Sequence, residues 1–126
     1  MLVVNEDKSI YVTRGDSCIF TVQATIGTGE NYTFKQGDVV RFKVFGKKDC
    51  ETVMLQKDVL VAEETEAVEL FLTGDETKIG DVISKPTDYW YEVELNPDSN
   101  PQTIIGYDDD GAKVLRLFPE GKDVEE

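Results

Sequence analysis

Two glutamates have the spacing most suggestive of catalysis in this sequence. Glu92 and Glu94 alternate along a predicted β-strand and therefore share one of its faces. Paired carboxylates of this kind serve glycosidases, one as the acid and the other as nucleophile or base. A catalytic acid needs burial to raise its pKa, whereas the alternation directs both side chains outward, opposite Arg41 and Lys43. We therefore expect a solvated, charge-balanced face rather than an active site.

A run of three aspartates is the candidate metal site. Asp108, Asp109 and Asp110 precede Gly111, and clustered carboxylates are ligands that calcium prefers. The run is contiguous rather than alternating, and no glutamate follows at EF-hand distance. Asp-Gly between two apolar runs is typical of a hairpin turn. We expect a hairpin here, with a weak calcium site as the alternative.

The tripeptide Arg14-Gly15-Asp16 is the motif that integrins bind. It also has the composition of a tight turn that leads into a strand, with glycine supplying the unusual backbone angle. No export signal precedes it in this sequence. We expect a turn.

Composition excludes several kinds of chemistry. The chain has no histidine, so mechanisms that need an imidazole base or a His-ligated zinc are absent. Lys and Arg number 13 and Asp and Glu 26, giving a formal net charge of −13, which argues against nucleic acid or an anionic membrane as partner. We expect no enzymatic activity, no cofactor and no metal.

The two cysteines are Cys18 and Cys50. Cys18 alternates with apolar residues of a predicted strand and resembles a small core residue, whereas Cys50 lies in a polar turn. Without a secretion signal or a membrane span, two reduced thiols are favoured over a disulfide. Neither cysteine has the neighbours that would make it a nucleophile.

The elements that position these residues are strands. The 126 residues suit one domain spanning 1–126, in which about 119–126 form a flexible acidic tail. Apolar residues recur with period two almost throughout, and turn signals separate the runs. The predicted strands, after a possible opening strand at 2–4, are 9–12, 17–24, 38–45, 53–61, 66–72, 88–95, 102–107 and 112–118. This pattern predicts an all-β sandwich or barrel.

One short helical turn interrupts the strands. Thr73 and Glu76 have the spacing of a capping box, and Gly80 would end the turn. Tyr89 follows at the start of the next strand. It is either the tyrosine corner of an immunoglobulin-like sandwich or a plain core tyrosine.

Two strands have side chains that predict their register. If 38–45 and 88–95 pair antiparallel with Val40 opposite Leu95, apolar pairs fill one face along the whole ladder. The other face then pairs opposite charges and sets Phe45 against Trp90. These are favoured cross-strand combinations, each worth roughly 0.2–1 kcal/mol. We predict this register.

Three aromatic residues lie on faces that should meet solvent. Phe71 and Trp90 are out of phase with the core residues of their strands, and Phe45 shares the face of Arg41 and Lys43. Large rings on such faces indicate a contact surface. They could meet another subunit, stack on sugar, or pack beneath a loop or a second core layer. We predict Phe45, Phe71 and Trp90 as protein-contact residues.

Four stretches resemble a known family: IYVTRGDSCIFTV, YTFKQGDVVRFKVF, VELFLTGDETKIG and YWYEVELNPDSNPQTIIGYDDDGAKVLRLFPEG. They are similar to small structural proteins of tailed phages and prophages of Gram-positive bacteria, related to the N-terminal domain of baseplate upper proteins. The resemblance covers nearly the whole chain.

The resemblance implies an immunoglobulin-like antiparallel β-sandwich that assembles into a tail or baseplate. The expected partners are other phage tail or baseplate proteins, with a homo-oligomer as a further option. The expected location is the virion, after synthesis in the cytoplasm of the bacterial host. A carbohydrate-binding module that uses exposed aromatic residues is the alternative function.

Overall fold

The fold consists of nine strands. The computed structural model describes residues 2–4, 8–24, 30–46, 52–99, 101–106 and 111–120. The strands are β1 Leu2–Val4, β2 Ile10–Thr13, β3 Cys18–Val22, β4 Val39–Phe45, β5 Val53–Leu60, β6 Val68–Leu72, β7 Thr87–Leu95, β8 Gln102–Ile105 and β9 Lys113–Phe118. Each predicted strand is present, including the opening one, with ends that shift by two residues at most.

The strands form a larger and a smaller sheet. The larger sheet has the order β1-β2-β9-β7-β4-β5, with β8 also paired to β7, and the smaller sheet contains β3 and β6. Strands β2 and β9 run parallel, so the prediction of a wholly antiparallel fold is wrong for this pair. A short turn forces neighbours in sequence to run antiparallel, but no such turn joins strands from opposite ends of the chain.

The hairpin predicted around Asp108–Asp110 does not form. Strands β8 and β9 do not pair with each other, because both run antiparallel to β7 on the same side of it. β9 pairs with Thr87–Tyr91, and β8 pairs with β7 beyond that point. The long strand β7 thus accommodates two short strands end to end. Residues 107–110, and with them the alternative calcium site, lie outside the described residues.

The register predicted for β4 and β7 is confirmed. Val40 lies opposite Leu95 and Phe45 opposite Trp90, and the four intervening pairs match as well. Val40, Phe42 and Val44 are fully buried. The apolar face of this ladder therefore points into the interior, as the alternation requires.

The two sheets pack face to face around one hydrophobic core. The ring centroid of Phe20 in β3 lies 5.3 Å from that of Phe42 in β4, at an angle close to edge-to-face. Phe42 also contacts Tyr91 of β7, with centroids 5.6 Å apart. Buried side chains from both sheets belong to the same cluster. The protein is an all-β, sandwich-like fold.

The connection from β6 to β7 contains the predicted capping box. The Thr73 hydroxyl accepts from the Glu76 amide at 3.2 Å, and the Glu76 carboxylate accepts from the Thr73 amide at 2.9 Å. One bond of helical type follows, from the Thr77 amide to the Thr73 carbonyl at 3.2 Å. No helix develops in this connection, and Gly80 ends the segment at φ 65°.

Tyr89 combines the two roles considered for it. Its ring is buried in the core, and its hydroxyl lies 3.5 Å from the carbonyl oxygen of Ile79, at the long limit of a hydrogen bond. Ile79 belongs to the connection before β7, where a tyrosine corner makes its contact. Tyr89 is thus a core tyrosine placed where a tyrosine corner lies, but its long contact reaches ten residues back rather than a few.

Cys18 and the chain end complete the framework. Cys18 is a free, buried thiol whose pKa is raised by its burial, which confirms its predicted place in the core. Cys50 lies outside the described residues. Of the tail predicted at 119–126, the structure describes Pro119 and Glu120, both half-buried.

Candidate docking surface

The outward face of the larger sheet is built around Arg41. Its guanidinium binds both carboxylate oxygens of Asp58 on β5, at 2.8 and 3.0 Å, and reaches both oxygens of Asp98, at 3.0 and 3.3 Å. Asp58 lies directly opposite Arg41 in the ladder. Hydrogen bonds that Arg41 donates to the two aspartates raise its pKa, and Arg41 lowers the pKa of Asp58. Arg41 therefore pairs with Asp58 rather than with Glu94, its neighbour on the other side.

The two glutamates of β7 form a half-buried group with Lys43. The Lys43 ammonium lies 2.9 Å from a Glu94 carboxylate oxygen, diagonally across the ladder. The pKa of Glu92 is raised, first by burial and then by the charge of the nearby Glu94. The solvated face expected here is thus partly desolvated.

These two glutamates are the residues whose alternation suggested a glycosidase pair. Glycosidases hold their two carboxyl groups roughly 5–9.5 Å apart, with a sugar or a water between them. Glu94 forms an ion pair with Lys43 at 2.9 Å, so Lys43 neutralises part of the charge of the two glutamates.

The same face is also closed at its other end. Arg116 of β9 bonds Asp88 at 2.7 Å, and its guanidinium carbon lies 5.3 Å from the centroid of the Tyr11 ring. Tyr11 in turn contacts Phe118 edge-on. These charges and rings are therefore partnered within the molecule, whereas Leu60, opposite Val39 at the β5 edge of this face, is 68% exposed.

The three predicted contact aromatics differ in exposure. Phe45 is only 2% exposed, so its prediction as a solvent-facing residue is wrong. It lies on the predicted face, opposite Trp90, but outside the main core cluster, and the ladder to β5 shifts between Val44 and Phe45. Trp90 is half-buried. Phe71 is 46% exposed, as predicted.

The outward face of the smaller sheet keeps its apolar side chains in solvent. Phe71 of β6 pairs with Ile19 of β3, which is 53% exposed. We call these two residues the Ile19–Phe71 patch. The next pair on this face, Thr21 and Glu69, is exposed and polar. Ile19 was missed as a contact residue, although it falls out of phase with its buried neighbours in β3 and the same alternation could have identified it.

The two sequence motifs at 14–16 and 73–76 meet at one corner of the sandwich. Gly15 has φ 90°, and the Asp16 amide donates to the Thr13 carbonyl at 3.0 Å, so the predicted tight turn is present. The buried Thr77 hydroxyl accepts from the Gly15 amide at 3.0 Å and lies 2.8 Å from the Asp16 carbonyl oxygen. Thr77 directly follows the capping box, and this position brings its hydroxyl to the turn at Gly15 and Asp16.

Arg14 is turned inward at the same corner. Its side chain is buried, and its guanidinium donates to the Gly80 carbonyl at 3.2 Å. An integrin would need to reach the arginine and the aspartate together. The motif instead joins the start of β3 to the connection before β7.

The described residues contain no helix long and apolar enough to span a membrane. Nor do they hold a group of three or more His, Cys, Asp or Glu side chains placed to bind a metal ion. No protein-family model matches the chain, and no curated protein matches its sequence.

Proposed function

We propose that this chain is a non-enzymatic structural subunit of a phage or prophage tail baseplate, and that it acts through protein–protein contacts. The resemblance of its strand and turn segments to baseplate proteins suggests the assembly. The Ile19–Phe71 patch carries the proposal, because two large apolar side chains that pair across a ladder remain in solvent. Apolar residues left exposed next to each other mark contact sites more often than scattered ones do.

The acidic surface suits a subunit that must stay dissolved until it is assembled. A net charge of −13 keeps free copies apart through mutual repulsion. Burial of the patch against a neighbouring protein would offset this repulsion. A partner with basic side chains around an apolar pocket would add favourable charge interactions.

The test is incorporation into particles. Phage or prophage particles from the organism that encodes the chain are purified, and the chain is quantified in them by mass spectrometry and located by immunogold labelling. We expect a fixed copy number at the tail tip. The Phe71→Ala variant should remain folded and be depleted from particles by about tenfold, the loss expected if a ring worth about 1.4 kcal/mol is removed from an interface.

The matched control is Leu60→Ala, which removes an apolar side chain that is 68% exposed elsewhere on the surface. It should leave incorporation unchanged. A chain that stays in the cell extract and is absent from particles would contradict the proposal. A reproducible glycan-array signal that Phe71→Ala abolishes would favour the carbohydrate-binding alternative.

A further inference from the structure

Strand β3 has a free edge. In the smaller sheet the described residues provide one neighbour for it, β6, and none of the described strands pairs with its other side. In an antiparallel pair alternate residues point their amide and carbonyl groups away from the neighbour. The outer edge of β3 therefore presents backbone donors and acceptors that a further strand could use.

This edge lacks the charges that usually protect such strands. Residues 17–29 contain no charged side chain, in a chain of which 31% is charged. The edge strand β5 of the larger sheet, in contrast, carries Lys57 and Asp58, and β6 carries Glu69. Charged residues on an edge oppose the addition of another strand. β3 has no such protection.

A cleft of about 400 Å³ runs beside the same edge. Phe20 and Thr21 of β3 line one side of it, and Ile10, Ile104 and Ile105 of the larger sheet line the other. Lys8, Gln23 and Tyr91 complete the lining, so its walls are apolar and polar in similar measure, and its size is in the range of pockets that receive ligand groups. An edge with unpaired backbone groups beside a partly apolar cleft is the arrangement that strand addition uses, in which backbone bonds give affinity and the pocket accepts alternate side chains.

We propose that the free edge of β3 binds an extended strand of a partner protein. The partner would place alternate apolar side chains in the cleft and carry Lys or Arg at its ends. Asp16 and Glu30 bound the uncharged run, and the whole chain is strongly acidic, so cationic ends are attracted. A second copy of the chain carries the same −13 and is repelled. The proposal goes beyond docking through the Ile19–Phe71 patch and holds whatever assembly the chain joins.

The experiment measures amide hydrogen exchange of the full chain with a synthetic peptide as probe. The peptide alternates valine and threonine between paired lysines, and a control peptide of the same charge has proline at its centre. At saturation the alternating peptide should slow exchange in residues 18–22 by about tenfold, corresponding to about 1.4 kcal/mol of added protection. The proline peptide should have no effect. No slowing, or slowing only in β5 or β6, would overturn the proposal.

A pair of charge variants tests the edge independently. Thr21→Lys puts a cation beside the cleft and should weaken peptide binding by about tenfold or more, whereas Gln56→Lys adds the same charge on β5 and should leave it within about twofold. Circular dichroism checks that both variants fold, and the exchange map of the unmodified chain does not depend on them. Sedimentation of the chain alone should show a monomer. Self-association that Thr21→Lys abolishes would assign the edge to a second copy and overturn the choice of partner.

Discussion

The two outward faces of this sandwich differ in which side chains they expose to solvent. On the larger sheet, Arg41 binds two aspartates, Lys43 pairs with Glu94, and Arg116 covers a tyrosine ring while bonding Asp88. On the smaller sheet, Ile19 and Phe71 face water side by side. Both faces come from the same two-residue alternation. The first is mostly closed by ion pairs and ring contacts within the molecule, with Leu60 exposed at its β5 edge, whereas the second pairs two exposed apolar side chains.

The difference between the two faces indicates which of them a partner protein can bind more easily. Polar side chains on the larger sheet find partners across strands, so a protein that binds there must break existing pairs and desolvate them. The smaller sheet offers apolar area that costs little to cover, and the unprotected edge of β3 lies beside it. We therefore expect partners to approach from the smaller sheet, and substitutions to affect the two faces differently.

The largest effect should come from the core that holds the two faces back to back. Phe42→Ala removes the ring that contacts Phe20 of one sheet and Tyr91 of the other. Truncation of a fully buried phenylalanine costs about 3–5 kcal/mol. Urea denaturation followed by tryptophan fluorescence measures it. A loss below about 1 kcal/mol would mean that the sheets do not depend on this contact, and the comparison of faces would lose its basis.

The next largest effect should come from the corner that joins the two sheets. Thr77→Val keeps the shape of the side chain and leaves the Gly15 amide without its acceptor. An unpaired buried donor costs about 1–3 kcal/mol. Thr87→Val is the control, because its hydroxyl bonds the Lys85 carbonyl in an exposed position, and it should change the free energy of unfolding by under about 0.5 kcal/mol. Equal losses in the two variants would contradict the role assigned to Thr77.

The β4–β7 ladder shows how much the sequence could predict. Its six pairs follow from alternation, charge and ring pairing, because a shift by one residue would turn every core side chain to solvent. The sandwich, the capping box and the turn at Gly15 were predictable for the same local reasons. Strand contents and turns depend on neighbours in sequence, which the residues themselves reveal.

Contacts between distant segments were not predictable. Alternation places Phe45 on the outward face correctly, but it does not reveal that the residue is covered there. The Asp110-Gly111 sequence indicates a turn, but it does not indicate which strand the following strand pairs with. Strand β9 pairs with β7 and does not pair with β8. Arg41 pairs with Asp58 because β5 lies beside β4 on the side away from β7. The register of β4 and β5 brings these two residues opposite each other, and the sequence leaves that register open.

A smaller effect should come from the ion pairs of the closed face. Arg41→Gln removes the bonds to Asp58 and Asp98, and a partly exposed pair of this kind contributes about 0.5–1 kcal/mol. A double-mutant cycle with Asp58→Asn in urea denaturation isolates the coupling. High salt should reduce the coupling, because it screens exposed charges. A coupling that salt leaves unchanged would mean that packing rather than charge connects these residues.

Ionisation of Glu92, on the same face, should change the free energy of unfolding by a few tenths of a kcal/mol. Burial and Glu94 raise its pKa above the ordinary 4.5, so the folded state holds this proton more tightly than the unfolded state. Its contribution to stability is therefore complete below pH 4.5 and is lost as pH rises through the folded-state pKa. Glu92→Gln, which removes this charge, should stabilise the protein at pH 7 and have no effect at pH 3.5.

The direction in which pH changes stability distinguishes Glu92 from Asp58, a carboxylate of the same face that is paired with Arg41. The pKa of Asp58 is lowered by Arg41, so its contribution is present above pH 3.8 and is lost as pH falls through its folded-state pKa. Asp58→Asn should therefore destabilise at pH 7, the opposite of Glu92→Gln. Unfolding curves at the two pH values give both signs, and a loss of stability from Glu92→Gln at pH 7 would show that its charge is favourable.

The smallest effect is expected on the open face, and it is the one that decides the comparison. Phe71→Ala removes a ring that is already about half in water, on a two-stranded sheet whose inward residues are untouched. The free energy of unfolding should change by under about 0.5 kcal/mol. A loss of 2 kcal/mol or more would mean that the ring supports the fold, and its exposure would then say nothing about a partner. If removal of the ring leaves the stability of the free subunit unchanged but prevents its incorporation into particles, the ring is buried only when the subunit binds its partner.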